Sequence, residues 1–113
     1  MNLLTEEIRK KLPPLGSQDD KLGKAVAYVR FFTPDSDWSW HASEFDGEDI
    51  FFGLVDGYCK EVGYFSLKEL EKARGPLGLP IERDLHWQPK TLEEIAPELF
   101  GESEHECRGG EDE

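Results

Sequence analysis

Four apolar runs separated by short polar turns fill the middle of the chain, and they constrain its fold more than any other feature. The runs cover residues 24–33, 38–45, 50–55 and 58–65, and each is rich in Val, Phe, Tyr or Trp. Runs of this length and composition are typical of β-strands. Because the turns are too short for a parallel crossover, the sequence predicts an antiparallel meander.

The turns themselves have residues that favour reversal of the chain. Asp56-Gly57 separates the last two runs, and an Asp-Gly pair in this position is the strongest short-range signal for a β-hairpin. Residues 34–37 and 46–49 combine Pro, Asp, Ser and Gly at the other two junctions. We therefore expect each strand to pair with the next one along the chain.

Short helices are predicted on either side of the strands. Thr5 can cap the first, and Ser66 and Thr91 each open a capping-box sequence. Residues 81–87 could add a fifth strand, with Ile81, Arg83, Leu85 and Trp87 on one side. The prediction is an α+β fold, an antiparallel four- to five-stranded meander sheet with three short helices. An open sheet is favoured over a barrel because the helices need an apolar surface to cover.

The net charge of −12 is unevenly distributed along the chain. Residues 1–90 contain 16 acidic and 12 basic side chains, whereas residues 91–113 contain 9 acidic side chains and only Arg108 as a base. We interpret residues 1–100 as one α+β domain and residues 101–113 as an acidic, disordered tail. Such a tail either keeps the protein soluble or binds a basic partner.

Cysteine usage and hydropathy favour a reducing cytoplasm. Two cysteines do not make a disulfide framework, and a bridge between Cys59 and Cys107 is not expected because Cys107 lies in the acidic tail. The chain opens without a charged-then-apolar signal segment, and no apolar stretch approaches the ~18 residues of a membrane span. The sequence therefore predicts a cytoplasmic protein that does not enter a membrane.

Several segments together resemble a known family. They are Phe31 to Trp38, Leu54 to Gly57, Gly63 to Leu67 and Arg74 to Asp84. The resemblance is to the DUF2958 family, small bacterial proteins commonly carried by plasmids, phages and integrative elements, and it runs from about Leu3 to Leu99. It implies an accessory protein of mobile genetic elements, active in the bacterial cytoplasm. It implies no catalytic residues and no cofactor.

Trp38, Trp40 and His41 lie together on one predicted strand and could form a stacking platform for single-stranded nucleic acid. A phosphate chain needs a basic groove, however, and the neighbouring loops are acidic. The acidic residues are Asp35, Asp37, Glu44, Asp46, Glu48 and Asp49. Alternating Trp residues are more often part of a sheet core or of a cross-strand pair. Nucleic acid is therefore the less favoured partner.

Three arginines form a second group of candidate binding residues. Arg30 interrupts an otherwise apolar strand, and Arg74 and Arg83 bracket a stiff connector at residues 75–80. An arginine in an apolar setting must be paired, and a carboxylate at Glu82, Asp84 or Glu61 could pair with it. The group is interpreted either as salt bridges that hold the connector on the sheet or as an anion contact.

His41 is the candidate for acid–base chemistry, because it is predicted on the polar side of its strand with Glu44 and Asp46 nearby in sequence. A histidine oriented by a carboxylate is the minimal base for hydrolysis. No other catalytic motif accompanies it, so the catalytic residues are unknown. The ligand spacing of a zinc site or a calcium loop is missing from the sequence, and no metal or cofactor is predicted.

Two functional hypotheses follow from these patterns. In the first, the protein is a non-enzymatic acidic module that binds a protein with a basic surface, and it could interfere with host defence. In the second, it is a small enzyme or nucleic-acid-processing protein whose polar site lies on the sheet face. The second hypothesis requires Arg30, His41, Arg74 and Arg83 to converge on one concave surface. The first is favoured, and the oligomeric state is left open.

Overall fold

The computed structural model describes residues 3–100. The predictions for the tail at 101–113 and for a bridge to Cys107 fall outside this range. The helices are α1 (Glu6–Lys11), α2 (Leu67–Lys72), α3 (Leu92–Ile95) and α4 (Pro97–Phe100), with a 3-10 helix at Asp19–Lys24. The strands are β1 (Val26–Ala27), β2 (Val29–Phe32), β3 (Ser39–Phe45), β4 (Ile50–Asp56), β5 (Lys60–Ser66), β6 (Glu82–Arg83) and β7 (Lys90–Thr91).

Strands β2 to β6 form a five-stranded antiparallel sheet in the order β5-β4-β3-β2-β6. Strands β2, β3, β4 and β5 follow one another both in sequence and in space, which confirms the predicted meander and the α+β class. Strands β1 and β7 form a separate two-stranded ribbon. The described part of the chain therefore contains two sheets, and only the larger one was predicted.

The register of the strands separates the sheet into two faces. Arg30, His41 and Leu54 lie opposite one another across β2, β3 and β4, and they share the face that we call the ribbon face. The adjacent residues Phe31 and Trp40 are also paired, and they point to the opposite side, which we call the helix face. Each face is covered by different elements.

The helix face has an apolar core built around Phe51. The Phe51 ring lies 5.5 Å from that of Phe31, 4.6 Å from that of Phe45 and 5.2 Å from that of Phe65, measured between ring centroids. The remaining buried side chains of this core are Leu3, Leu4, Leu12, Val29, Ala42, Leu67, Leu70 and Ile81. Residues before and within α1, the helix α2 and the connector before β6 thus close this face.

The ribbon face is covered by the β1–β7 ribbon and by α3. Val26 pairs with Thr91 and Ala27 with Lys90, which brings the start of α3 over the sheet. The single strand predicted at 24–33 is therefore split, because its first part pairs with β7 and its second part with β3. The chain passes between them at Tyr28, whose N–H donates to the carbonyl of Ala42 at 2.8 Å.

The fifth strand is shorter than predicted, since only Glu82–Arg83 pairs with β2. Ile81 is buried in the helix-face core, Leu85 is 65% exposed, and Trp87 packs on the ribbon face. The prediction that these side chains share one side of a strand is wrong. The indole of Trp87 instead donates to the carbonyl of Ala27 at 3.1 Å, which ties this segment to β1.

The hairpin between β4 and β5 confirms the Asp-Gly prediction, with a three-residue loop at 57–59 instead of the expected two-residue turn. A Cβ atom on Gly57 would collide with the Trp38 ring at 2.5 Å. Glycine is therefore required at this position because the indole of Trp38 packs directly on the loop.

The predicted helix caps are confirmed. The Thr5 hydroxyl accepts the N–H of Ile8, the Ser66 hydroxyl accepts that of Glu69, and Thr91 forms the complete capping box. The last predicted helix is broken after Ile95, so four short helices are found instead of three. No helix within residues 3–100 is long and apolar enough to cross a membrane.

Candidate functional site

The four polar residues that were candidates for one site lie in three different places. Arg30 and His41 are cross-strand neighbours on the ribbon face. Arg83 lies opposite Phe31 and therefore belongs to the helix face. Arg74 is in the exposed connector after α2, where its backbone forms an isolated bridge to Pro80. These side chains do not converge on one concave surface.

His41 is buried at the centre of the ribbon face, with only 4% of its surface exposed. Its Nε2 atom lies 3.1 Å from the hydroxyl of Ser39, and its ring centroid lies 5.2 Å from that of Trp87. Its Nδ1 atom has no hydrogen-bond partner within residues 3–100. The expectation that a carboxylate of Glu44 or Asp46 orients this imidazole is therefore wrong, and the side that seemed polar in sequence is covered rather than open to water.

The pKa of His41 is lowered from 6.5 to about 4, mainly by burial and in addition by the positive charges of Arg30, Lys60 and Lys90. The carboxylate of Asp84 opposes these effects. The imidazole is consequently neutral at pH 7. An efficient general base has a pKa near the working pH, so His41 is a weak candidate for that role. Its observed contacts are those of a packed, neutral core histidine.

Arg30 is paired, as its position inside an apolar strand requires. One guanidinium nitrogen lies 3.1 Å from a carboxylate oxygen of Asp84, and the guanidinium carbon lies 5.0 Å from the centroid of the Phe32 ring. Asp84 was among the predicted partners, so this pairing is confirmed. The guanidinium therefore has one ionic and one aromatic partner within the protein itself.

The connector at 75–80 is held by Asp35 rather than by Arg74. Asp35 accepts hydrogen bonds from the backbone N–H groups of Leu77 at 2.8 Å and Leu79 at 3.3 Å. The guanidinium of Arg74 donates to the nearby carbonyl of Ala73 at 2.7 Å. Asp35 therefore has a structural role, and it is not part of a free acidic surface.

Trp38 and Trp40 lie on the helix face, and His41 lies on the ribbon face, so these three side chains do not form one stacking platform. Their ring centroids are 5.9 Å apart, and the Trp38 ring also meets that of Tyr58 edge-on at 5.4 Å. Trp40 packs against the helix-face core. Tyr58 is 87% exposed, so the outer end of this aromatic group reaches solvent beside the β4–β5 loop.

Glu44 is the most deeply buried acidic side chain in the described residues, with 2% of its surface exposed. Its carboxylate accepts the backbone N–H of Gly16 at 2.7 Å and that of Gln18 at 2.8 Å. These bonds join the loop after α1 to β3. Glu44 therefore contributes to folding and does not belong to the acidic surface where the sequence had placed it.

Two carboxylates at the β3–β4 turn are fixed by backbone hydrogen bonds. Asp46 accepts the N–H groups of Glu48 and Asp49 at 2.8 Å each and that of Ile50 at 3.0 Å, and these bonds lower its pKa. Asp49 accepts the N–H of Lys68 at 2.8 Å, which is the main reason that its pKa is also lowered. Both carboxylates are therefore ionised and rigidly placed at neutral pH.

The turn lies against the start of α2 because Asp49 also accepts the hydroxyl of Ser66 at 2.7 Å. Glu48 in the turn is exposed, and α2 carries exposed Glu69 and Glu71 together with exposed Lys68 and Lys72. We call this group the acidic end, and its members are Asp46, Glu48, Asp49, Glu69 and Glu71. Asp46, Glu48 and Asp49 were among the predicted acidic residues, whereas Glu69 and Glu71 were not. Asp46 and Asp49 accept backbone hydrogen bonds as Glu44 does, but Asp46 is exposed and Asp49 half-buried, so their charge still reaches the surface.

The sequence alone did not indicate several residues that shape these sites. Ser39 and Trp87 complete the surroundings of His41, and Gln18 lies beside Glu44 with its amide donating to the carbonyl of Ser43 at 2.9 Å. All are ordinary residues in unremarkable positions, and only the long-range pairing brings them together. Within residues 3–100, no three His, Cys, Asp or Glu side chains are placed to hold a metal ion.

Comparison with known proteins identifies the family. No curated protein and no solved structure matches the chain. The sequence profile of DUF2958, described as a protein of unknown function, matches residues 3–95, which is most of the described range. This agrees with the segments that suggested the resemblance. The chain belongs to the DUF2958 family.

Proposed function

We propose that this protein is a non-enzymatic binding module that uses its acidic end to bind a basic surface on another protein. The carrying observation is that Asp46 and Asp49 are held by backbone hydrogen bonds and have lowered pKa values, so the charge is both permanent and fixed in position. Prearranged charge is favourable for binding because little entropy is lost when the partner arrives.

The charge pattern along the chain supports the same proposal. Between Arg30 and Lys60 the sequence has seven acidic side chains and no Lys or Arg. Glu48 is exposed in the β3–β4 turn, and Glu69 and Glu71 are exposed on α2 together with Lys68 and Lys72. The tail at 101–113 adds six acidic side chains against one arginine to the net negative charge of the chain.

An enzymatic role receives less support from the geometry. It required Arg30, His41, Arg74 and Arg83 to share a surface, and the register places Arg30 and Arg83 on opposite faces of the sheet. The imidazole of His41 is buried and is neutral at pH 7. A nucleic-acid ligand is also disfavoured, since the acidic end would repel a phosphate chain.

The family supplies the biological setting of the proposal. The resemblance to DUF2958 proteins implies a bacterial mobile genetic element, and the partner would then be a cytoplasmic protein of the host or of the element itself. Interference with a host defence protein is one such role, in which the acidic end would occupy a surface that otherwise binds nucleic acid.

The test is a capture experiment with charge-reversed variants. The full chain is immobilised, bacterial lysate is applied at low salt, and the retained proteins are identified and titrated with salt. Glu48→Lys combined with Glu71→Lys reverses two exposed charges at the acidic end. Each single reversal is compared with Asp20→Lys, which reverses one exposed charge elsewhere. A further variant with the six acidic residues of the tail changed to amides separates the contribution of the tail.

The proposal predicts a retained protein with a basic surface whose binding weakens as salt is raised. The double reversal should weaken binding several-fold, and Asp20→Lys should change it little. The proposal would be contradicted if no protein were retained by the wild type, or if the double reversal and the control retained the same protein equally well.

A further inference from the structure

The two edge strands of the main sheet differ in how they are protected. At one edge, β6 has only two paired residues. At the other edge, β5 has seven residues in unbroken register with β4, without a proline or a bulge. Within residues 3–100, no strand pairs with the outer side of β5. A long regular edge of this kind is a template for pairing with another strand.

The hydrogen bonds at both ends of the β4–β5 ladder show which groups of β5 face outwards. The N–H of Gly57 donates to the carbonyl of Cys59, and the N–H of Leu67 donates to that of Asp49. Hydrogen-bonded pairs alternate with non-bonded pairs in an antiparallel ladder. Gly63 therefore bonds to Gly53 on β4, whereas the N–H and C=O groups of Val62 and Tyr64 point away from the sheet.

We propose that two copies of this chain pair through β5, antiparallel and centred on Gly63, so that their sheets become one continuous sheet. In this register Val62 lies opposite Tyr64 of the second copy. Both residues direct their backbone N–H and C=O groups outwards, so Val62 of one copy and Tyr64 of the other exchange two hydrogen bonds. The twofold axis generates a second pair of the same kind, with Tyr64 of the first copy and Val62 of the other. If the two strands were shifted by one residue, an outward-facing residue of one copy would lie opposite a residue whose N–H and C=O groups are already hydrogen-bonded to β4.

The side chains of β5 are compatible with this pairing. Val62 is 39% exposed and Tyr64 is 69% exposed, and a β-branched residue opposite an aromatic one is a favourable cross-strand pair. In the same register Glu61 lies opposite Phe65 and Lys60 opposite Ser66, so like charges do not face each other. The ammonium group of Lys60 is already paired, 3.1 Å from a carboxylate oxygen of Glu98.

The centre of the pairing is a glycine, and space is available there. A Cβ atom built on Gly63 would have no atom within 4 Å. Facing residues of a non-bonded antiparallel pair approach to about 4.5 Å between Cα atoms, which two glycines allow without displacing side chains. A second copy of the same strand is therefore the occupant that this edge fits, because the twofold register centred on Gly63 satisfies backbone, side chains and charge together.

This inference is independent of the proposed partner binding, and the two respond to salt in opposite ways. The net charge of −12 makes two copies repel each other, so added salt should strengthen the pairing of β5 strands. Attraction between the acidic end and a basic partner should instead weaken with salt. Failure of one proposal is therefore distinguishable from failure of the other.

The first test is the mass of the full chain in solution, measured by analytical ultracentrifugation over a range of concentrations. The wild type should show a monomer–dimer equilibrium that shifts towards dimer at higher salt. Val62→Lys combined with Tyr64→Lys places like charges opposite each other and should weaken the dimer about tenfold or more. Leu77→Lys combined with Leu85→Lys adds the same two charges at exposed apolar residues outside β5 and should leave the equilibrium nearly unchanged.

The second test measures amide hydrogen exchange of the β5 residues at low and high protein concentration. The amides of Val62 and Tyr64 should become protected as the dimer forms, whereas those of Glu61 and Gly63 are already bonded to β4 and should change little. A monomer at every concentration and salt would overturn the proposal. So would a dimer that tolerates the double lysine change, or one that forms without protection of these two amides.

Discussion

The two faces of the main sheet are stabilised in different ways. The helix face is a stack of phenylalanine rings around Phe51 with aliphatic side chains above them. The ribbon face has its own apolar cluster, with Leu54 and Leu92 among its buried side chains, and beside it a neutral His41 packs against Trp87. Both faces bury apolar area, and the ribbon face in addition buries a group that can take up a proton. We therefore expect the free energy of unfolding to depend on side-chain volume on the helix face and on the protonation of His41 on the ribbon face.

The largest effect should come from removing volume on the helix face. Phe51 has no exposed surface and contacts three other rings, so Phe51→Ala should lower the free energy of unfolding by about 3–5 kcal/mol. Phe52→Ala is the matched control, because Phe52 is the next residue, points to the ribbon face and is only half-buried beside Tyr64. It should cost less than about 2 kcal/mol. If chemical denaturation gave the same decrease in the free energy of unfolding for both variants, the two faces would not differ in their dependence on side-chain volume.

The next effect should appear on the ribbon face when the pH is lowered. The pKa of His41 is about 4 in the folded protein and 6.5 when unperturbed, so the unfolded chain binds a proton first as the pH falls. The contribution of His41 to the free energy of unfolding is therefore fully present above pH 6.5. It decreases by roughly 3 kcal/mol as the pH falls from 6.5 towards 4.

The variant His41→Gln cannot titrate, and it tests this assignment. Its stability should change much less than that of the wild type between pH 7 and 4.5, as measured by urea denaturation at each pH. Asp46 and Asp49 also have lowered pKa values, but their contribution is lost only below their unperturbed pKa of 3.8. An identical pH dependence in the wild type and the variant would show that His41 is not the titrating group.

A smaller effect is expected where Glu44 holds the loop after α1. In Glu44→Gln, one of the two backbone N–H groups now held at Gly16 and Gln18 would face an amide NH2 group instead of an oxygen. A buried donor without an acceptor should lower the free energy of unfolding by about 2 kcal/mol. Glu48→Gln changes the same charge on an exposed neighbour and should have little effect on stability. Similar values for the two variants would mean that Glu44 is not structurally engaged.

The sequence predicted the features of this fold that depend on neighbours in the chain. The meander needs only alternating side chains and short turns, and the caps at Thr5, Ser66 and Thr91 need only a residue three positions away. Both follow from local chemistry, and both are confirmed.

The ribbon face could not be predicted because it depends on contacts between distant segments. Ala27 pairs with Lys90, and the indole of Trp87 bonds to the carbonyl of Ala27. Nothing in the spacing of these residues indicates that they meet. The polar appearance of Ser39 and His41 in sequence therefore suggested an open surface, whereas the ribbon covers them. The same limitation applied to Glu44, whose partners lie 28 and 26 residues away.

The central claim is that this chain binds a partner through the acidic end and that the polar centre of the ribbon face is structural. The most direct measurement compares His41→Gln with the double variant Glu48→Lys and Glu71→Lys for binding to the captured partner at pH 7 and low salt. His41→Gln should bind as the wild type does, since the wild-type imidazole is buried and neutral at pH 7, while the charge-reversed variant should lose binding. Loss of binding in His41→Gln together with full binding by the charge-reversed variant would show that the binding site lies on the ribbon face instead.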